Sequence, residues 1–358
     1  MSELIQKNDN RATIRWKLLT GASAIALAGY LSSAGMARAE DSGHPVIWLE
    51  AGGEFALQSV NTEQFIPSFV YDSTFGDGIK VLRKKAPSVW DEDAKISFQP
   101  SGSDWVMSLG IRYGKSSRHM AAYQNTQHIG GTFGYAGAHY SGYQDSKSSS
   151  SEKHLILDFE AGKDVGLGRF GSQGSSLVSA GVRYAQFDSH SNVDIKSRTT
   201  SVPTSYYIFH GSFEAKRNFR GVGPSLSWDA SATVAGNPSD GSLTFDWGVN
   251  GALLFGRQKM KGHHEKTAVF QPQSAFYYGY LKTTRYHTPS SPSRSKNVTV
   301  PNLGAYAAMS WRYTNAKVTL GYRYDAFFGA IDGGIDAAKK EDRGFYGPFA
   351  SISIGIGD

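Results

Sequence analysis

Apolar and polar residues alternate with a period of two through long stretches of the chain, the mark of strands with one polar and one apolar face. In the segment 242–257, Leu243, Phe245, Trp247, Val249, Gly251, Leu253 and Phe255 share one face, while Thr244, Asp246, Gly248 and Asn250 share the other. From 222 to 234, Val222, Pro224, Leu226, Trp228, Ala230, Ala232 and Val234 oppose Ser225, Ser227, Asp229, Ser231 and Thr233. The pattern recurs at Trp105 to Tyr113, Leu303 to Tyr313 and Val318 to Tyr324, and more weakly at Ile47 to Leu57, Leu155 to Ala161, Leu177 to Phe187 and Ile352 to Ile356. These segments have about the 9 to 11 residues that a tilted membrane strand needs, and no comparable stretch has an apolar 3.6 period.

The connections fall into two classes. Short ones occur at Ser101 to Ser103, Val165 to Gly174, Gly236 to Gly241 and Thr314 to Ala316, with strong turn chemistry in the last two. Long polar stretches lie near 59–94, 115–152, 189–205, 258–297 and 329–343, and Ser146 to Ser151 reads as an outer-loop tract. Alternating short turns and long loops are the habit of bacterial outer-membrane barrels. The expectation is an all-β fold: a transmembrane, antiparallel, up-and-down β-barrel of about twelve strands, within a range of roughly ten to fourteen. One hairpin beyond a basic ten strands, which makes twelve, would come from 267–282 or from the 120–140 region.

The N-terminus adds a leader. Arg11, Arg15 and Lys17 precede the mostly apolar stretch Leu18 to Leu31, and Ala37-Arg38-Ala39 supplies a small-x-small cleavage site. Residues 1–39 are expected to be a cleaved signal peptide and 40–358 the barrel. The leader carries five bases against two acids, so half of the net +6 goes with it. What is left does not support a nucleic-acid footprint. There is no cysteine, which removes disulfides and thiol chemistry. Forty-one Gly and 13% aromatic residues at a mean hydropathy of -0.37 suit strands with one apolar and one polar face.

Three phrases carry a resemblance: Gly181-Val182-Arg183-Tyr184-Ala185-Gln186-Phe187, Gly221-Val222-Gly223-Pro224, and Gly248 through Gln258. In that order they resemble the Legionella-type major outer membrane protein family of pore-forming barrels. The resemblance implies a β-barrel with pore activity and no catalytic residues. The chain departs from many such barrels in finishing Ile354-Gly355-Ile356-Gly357-Asp358, without a terminal aromatic residue.

Candidate chemistry follows from the alternation. Arg112, Arg183, Arg312 and Arg323 each precede a Tyr and take inward positions, with Asp158, Glu160, Asp229, Asp246 and Asp325 among the inward acids. They would line a pore, either as a basic anion-favouring ring or as ion pairs with those acids. Trp105, Tyr113, Trp228, Trp247, Trp311, Tyr313, Tyr322 and Tyr324 take outward positions suited to an aromatic girdle. Gly166-Leu167-Gly168-Arg169-Phe170-Gly171 spells a dinucleotide loop but is followed by a strand pattern, so it reads as a turn. His154 shares a face with Asp158 and Glu160, but no nucleophile motif accompanies them, and the expectation is no enzyme. Adjacent His263 and His264 read as solvated loop residues rather than metal ligands, and no cofactor is expected. Asn297-Val298-Thr299 is a glycosylation sequon by spelling only.

The expected function is passive diffusion of small hydrophilic solutes through an outer-membrane pore of a Gram-negative bacterium. The alternative is a closed structural or adhesin-type surface barrel. The expected partners are outer-membrane lipid, the barrel assembly machinery and small solutes.

Overall fold

The computed structural model describes residues 46–59, 88–101, 103–129, 139–165, 174–201, 205–237, 240–272, 284–313, 315–334 and 337–356. The leader, the Gly166 to Gly171 turn and the C-terminal Gly357-Asp358 lie outside these residues. The strands are β1 (Val46–Ser59), β2 (Ser88–Gln99), β3 (Trp105–Ile129), β4 (His139–Asp164), β5 (Gly174–Ser201) and β6 (Ser205–Asn237), followed by β7 (Gly241–Pro272), β8 (Thr284–Ser290), β9 (Ser293–Arg312), β10 (Ala316–Asp332) and β11 (Lys340–Ile356). All pairings are antiparallel. β1 pairs with β11 and β6 with β7, so ten strands close into a ring, with β8 outside it.

Among the described residues the ring has ten strands, the lower end of the expected range, and the expected twelve are not found. The described parts of the stretches expected to add a hairpin prolong existing strands, while 130–138 and 273–282 lie outside the described residues. Residues 120–129 and 139 onward continue β3 and β4, and 258–272 continue β7. β8 is the outward continuation of β9. His264 lies opposite Ser290 and Lys261 opposite Ser293, the same register, and the path is broken at Ser291-Pro292, where proline cannot donate to a ladder. The Ser146 to Ser151 tract is not a loop either. It sits inside β4, laddered to β3 and β5 on its two sides, which satisfies its backbone without any apolar contribution.

All four short connections fall at one end of the ring, with the start of β1 and the end of β11. At that end Gly236 and Gly241 adopt positive φ, 87° and 104°, which a side chain would resist. From this end the strands rise to very different heights. β6 runs 33 residues and β7 32, against 12 for β2 and 17 for β10.

The two faces exchange character with height. Near the short-turn end the exterior is apolar: Trp105, Met107, Leu109, Ile111 and Tyr113 on β3, Val178 and Val182 on β5, Val222 and Leu226 on β6, and Val318, Leu320, Tyr322 and Tyr324 on β10 are all exposed. Higher up the inward positions become apolar, with Phe187, Val193 and Ile195 of β5 and Phe213, Ala215 and Phe219 of β6 buried. Outward residues there are polar or charged, including His190, Asp194, Lys196, Glu214 and Lys216. The stretch near 189–205 reads as a loop because Val193 and Ile195 take the opposite parity from Val178 and Val182, which interrupts the alternation begun lower on the same strand; the stretch near 115–152 reads as one because it is largely polar.

The β6–β7 seam narrows at Gly223, where an added Cβ would stand 1.9 Å from the carbonyl oxygen of Leu253. The adjoining Pro224 cannot donate across it. Gly223→Val is expected to destabilise the barrel by about 1 to 3 kcal/mol, as overpacking does. Urea unfolding in detergent, followed by tryptophan fluorescence, measures it.

Candidate functional site

The lumen is layered. Nearest the short-turn end is a cavity of about 330 Å³, lined by seven acids (Glu50, Asp93, Asp158, Glu160, Asp229, Asp246, Asp325) and five bases (Lys95, Arg112, Arg183, Lys317, Arg323). Strand alternation delivers all of them, because each sits at an inward position while its neighbours face out. Lys317 Nζ pairs with Asp246 at 2.6 Å, Ser310 Oγ donates to the same carboxylate at 2.6 Å, and Tyr306 OH donates to Asp229 at 2.8 Å. Ser227 donates to Glu160 at 3.0 Å.

Above these groups the arginines close the cavity. Arg183 grips Asp158 with Nε and Nη2, at 2.6 and 3.1 Å, while its Nη1 donates to Asn250 at 2.7 Å and to Asn302. Arg112 donates to Asp325 at 2.7 Å and lies 3.7 Å from Glu54. Arg323 reaches Glu54 at 3.5 Å, with its guanidinium 4.6 Å above the Phe349 ring. The inward arginines are thus ion-paired rather than presented as a free basic ring, and acids outnumber bases along the lining.

The next layer is apolar and crosses the whole barrel. Ala56 of β1, Val89 of β2, Ile156 of β4, Ala185 and Phe187 of β5, Phe219 of β6, Leu254 of β7, Val300 of β9, Phe327, Ala330 and Ile331 of β10, and Phe345 of β11 form one buried cluster, none more than 4% exposed. Phe187 stands edge-on to Phe327 at 4.8 Å and stacks with Phe219 and Phe345 at 6.0 Å. Among the described residues of the ten ring strands, only β3 gives no side chain to this layer. Its Gly114 leaves room for His154, whose Nε2 lies 3.0 Å from Asp91 Oδ2 and whose ring sits 4.2 Å from that of Phe345. A Cβ on Gly114 would fall 2.0 Å from Asp91 Oδ1 and 2.4 Å from His154 Cε1. Among the described residues, the inward groups at this height are buried, with Ala252 and Val298 partly buried against them, so their side chains fill the barrel's cross-section.

Just beyond the septum comes a polar layer, and higher still β5 and β6 bury a second apolar cluster of Val193, Ile195, Phe213 and Ala215. Arg343 bridges Glu152 and Glu341 at 3.5 and 3.2 Å, and Gln58 donates to Glu152. At the outer end of β10, the Asp332 carboxylate accepts from Arg294 Nε at 3.0 Å and from the amides of Lys339 and Gly334 at 2.9 and 3.1 Å. Burial opposes its charge, but these hydrogen bonds outweigh burial and hold the carboxyl below the usual aspartate range.

Of the nine residues expected in a pore lining, eight meet in the cavity. Arg312 does not. It keeps inward parity but stands exposed on the last position of β9, at the rim. Of the expected girdle, Trp105, Tyr113, Trp311, Tyr313, Tyr322 and Tyr324 are exposed on the outer face. Trp228 and Trp247 share that face but are half-buried, and the indole of Trp228 donates to Ser176 at 2.9 Å. His154 faces inward with Asp158 and Glu160, yet its partner is Asp91, while Asp158 belongs to Arg183. His263 and His264 lie in β7 and not in a loop. His263 is exposed with Nδ1 2.9 Å from Ser291 Oγ and His264 is buried on the other face, so the two do not converge on one ion. Asn297 is an exposed strand position on β9. Sequence reasoning missed Asp91, Asp93, Lys95, Asn302, Tyr306 and Lys317. The alternation of Val89, Asp91, Asp93 and Lys95 against Trp90 and Ile96 was a usable signal for β2.

Two measurements test this layering. Arg183→Met leaves a carboxylate and two amides without their donor and is expected to cost about 3 to 5 kcal/mol in urea unfolding. Arg323→Met, which gives up one long ion pair and a ring contact while Glu54 keeps Arg112, is expected to cost less than Arg183→Met. Because its pKa is lowered, ionised Asp332 stabilises the β10–β11 connection above about pH 4, and this is lost as pH falls through the lowered value. Hydrogen-exchange protection of the Gly334 and Lys339 amides should therefore disappear on acidification, and Asp332→Asn should lack it even at neutral pH.

No protein-family model and no curated protein matches the chain. Among solved structures it overlays loosely on the outer membrane protease OmpT from Escherichia coli, at 9% identity and a TM-score of 0.34, covering 90% of this chain and 99% of that one. It overlays on the transport unit of the autotransporter AIDA-I from Escherichia coli at 7% identity and a TM-score of 0.23, covering 93% and 97%. A mutant of the monoaromatic hydrocarbon channel TodX gives 8% identity and a TM-score of 0.23, covering 88% and 91%. These overlaps place the chain in none of the three groups. What the structure establishes on its own is an antiparallel, closed, ten-stranded all-β barrel with one strand outside the ring.

Proposed function

We propose that this chain is an outer-membrane barrel of a Gram-negative bacterium, sealed against passive diffusion, that acts through the polar wall it raises outside the membrane. The apolar septum carries this reading: a diffusion pore needs continuous water, and the septum crosses the lumen. The membrane part rests on the exterior belt. An apolar surface circling the barrel, edged by Trp and Tyr and about 9 to 11 residues tall on β3 and β9, is incompatible with water and matched to a bilayer core. The leader read at residues 1–39 fits export to that compartment. The short-turn end then faces the periplasm, and β3 to β7 continue far beyond the outer leaflet.

Passive diffusion, the activity implied by the resemblance to the Legionella-type family, would require the phenylalanines to leave the lumen. Conductance across planar bilayers separates the readings. The wild-type barrel is expected to give no steps even at high protein load, whereas discrete steps would establish an open pore. Phe187→Ala combined with Phe327→Ala and Phe345→Ala is expected to produce steps. Their reversal potential in a salt gradient should favour cations, as the acid-rich lining dictates.

A further inference from the structure

Immediately outside the belt, cations face one another across the β6–β7 seam. Val222 and Phe255 are a directly opposed pair, and the next outward pair up the barrel is Arg220 with Arg257, followed by Asn218 with Lys259 and Lys216 with Lys261. All five bases in these pairs, Arg220, Arg257, Lys259, Lys216 and Lys261, are exposed on the outer face. Like charges directly opposed in an antiparallel pair repel, and neighbouring strands do not compensate this one. Arg220 has Gln186 beside it on β5, and Arg257 has Asn297 beside it on β9. Of the outward acids nearby, Glu214 is engaged by Lys216 at 3.0 Å, and Asp188 accepts from Gln186. Arg257 Nε donates to Ser295 at 2.7 Å, which orients the guanidinium along the wall.

We infer that Arg220, Arg257 and Lys259 bind the phosphorylated headgroup of an outer-leaflet lipid. The height selects the ligand. Acyl chains lying on Val222, Leu253 and Phe255 bring a phosphate to the two guanidinium groups, which suit phosphate as planar two-pronged donors. The same apolar surface makes the occupant a lipid rather than a free anion. The site rests on the outer-membrane reading above.

The test uses the full barrel in detergent with a bisphosphorylated diglucosamine lipid, its dephosphorylated form, and inorganic phosphate alone, with bound lipid read by native mass spectrometry. Wild type is expected to retain the phosphorylated lipid about tenfold better than the dephosphorylated one. The combined variant Arg220→Gln, Arg257→Gln, Lys259→Gln should lose that preference. Lys163→Gln, which removes an exposed cation beside the short-turn end, should keep it. Equal retention of the two lipids, an unchanged preference in the triple variant, or inorganic phosphate binding as tightly as the lipid would overturn the assignment. Flotation with neutral phosphatidylcholine vesicles separates the two claims. A barrel that does not insert refutes the membrane reading, and the lipid site with it. One that inserts but does not discriminate refutes the lipid site alone.

Discussion

Everything in this molecule depends on the pairing of its first strand with its last. β1 and β11 register from Ile47 opposite Ile356 to Ser59 opposite Gly344, and that ladder turns an open sheet with two bare edges into a ring. Without it, the outer edges of β1 and β11 would carry rows of backbone groups with no ladder partner. Closure also creates the interior. Only in a ring do Glu54 of β1, Arg112 of β3 and Asp325 of β10 come within reach of one another.

The interior then solves two problems at different heights. In the lower half, inward polar residues are paired across the lumen, because a charge without a partner in a narrow, poorly hydrated space is expensive. Arg183 shows the solution at its fullest, with two contacts to Asp158 and further donors to Asn250 and Asn302. In the middle, nine of the ten ring strands contribute apolar side chains, and the tenth contributes a glycine that admits the His154–Asp91 pair. Offset and edge-on aromatic pairs of this kind add about 0.5 to 1.5 kcal/mol each beyond simple burial. The septum is therefore a small globular core built inside a barrel.

The lower half of the molecule was legible in the sequence because outward residues there are largely apolar, Glu92 of β2 being an exception. The strands through Trp105, Leu243, Leu303 and Val318, and the inward acids and arginines between them, follow from parity alone. The upper half was not. Along β5 the apolar residues move from Val178 and Val182 on one parity to Phe187, Val193 and Ile195 on the other, and a single-period reading takes the change as the end of the strand. The strand count depended on the same point, since residues that prolong β3, β4 and β7 look like spare hairpins. The glycines in the phrases that carry the resemblance have a packing reason. A Cβ at Gly181, Gly223 or Gly256 would lie 2.0, 1.9 or 2.2 Å from a backbone carbonyl of the adjoining strand. They report how tightly neighbouring strands approach and say nothing about conduction.

The change of parity also bears on the chain before it is a barrel. On β6, Val222 and Leu226 point one way and Phe213 and Phe219 the other, only a few residues apart. Detached from the ring, that strand has no polar side to turn toward water. A hairpin of β6 and β7 would expose an apolar surface on both faces, the arrangement that favours sheet stacking and aggregation. The unassembled chain thus gains no shelter from pairing its strands locally. Its soluble lifetime is set by how soon the septum residues meet inside a closed ring.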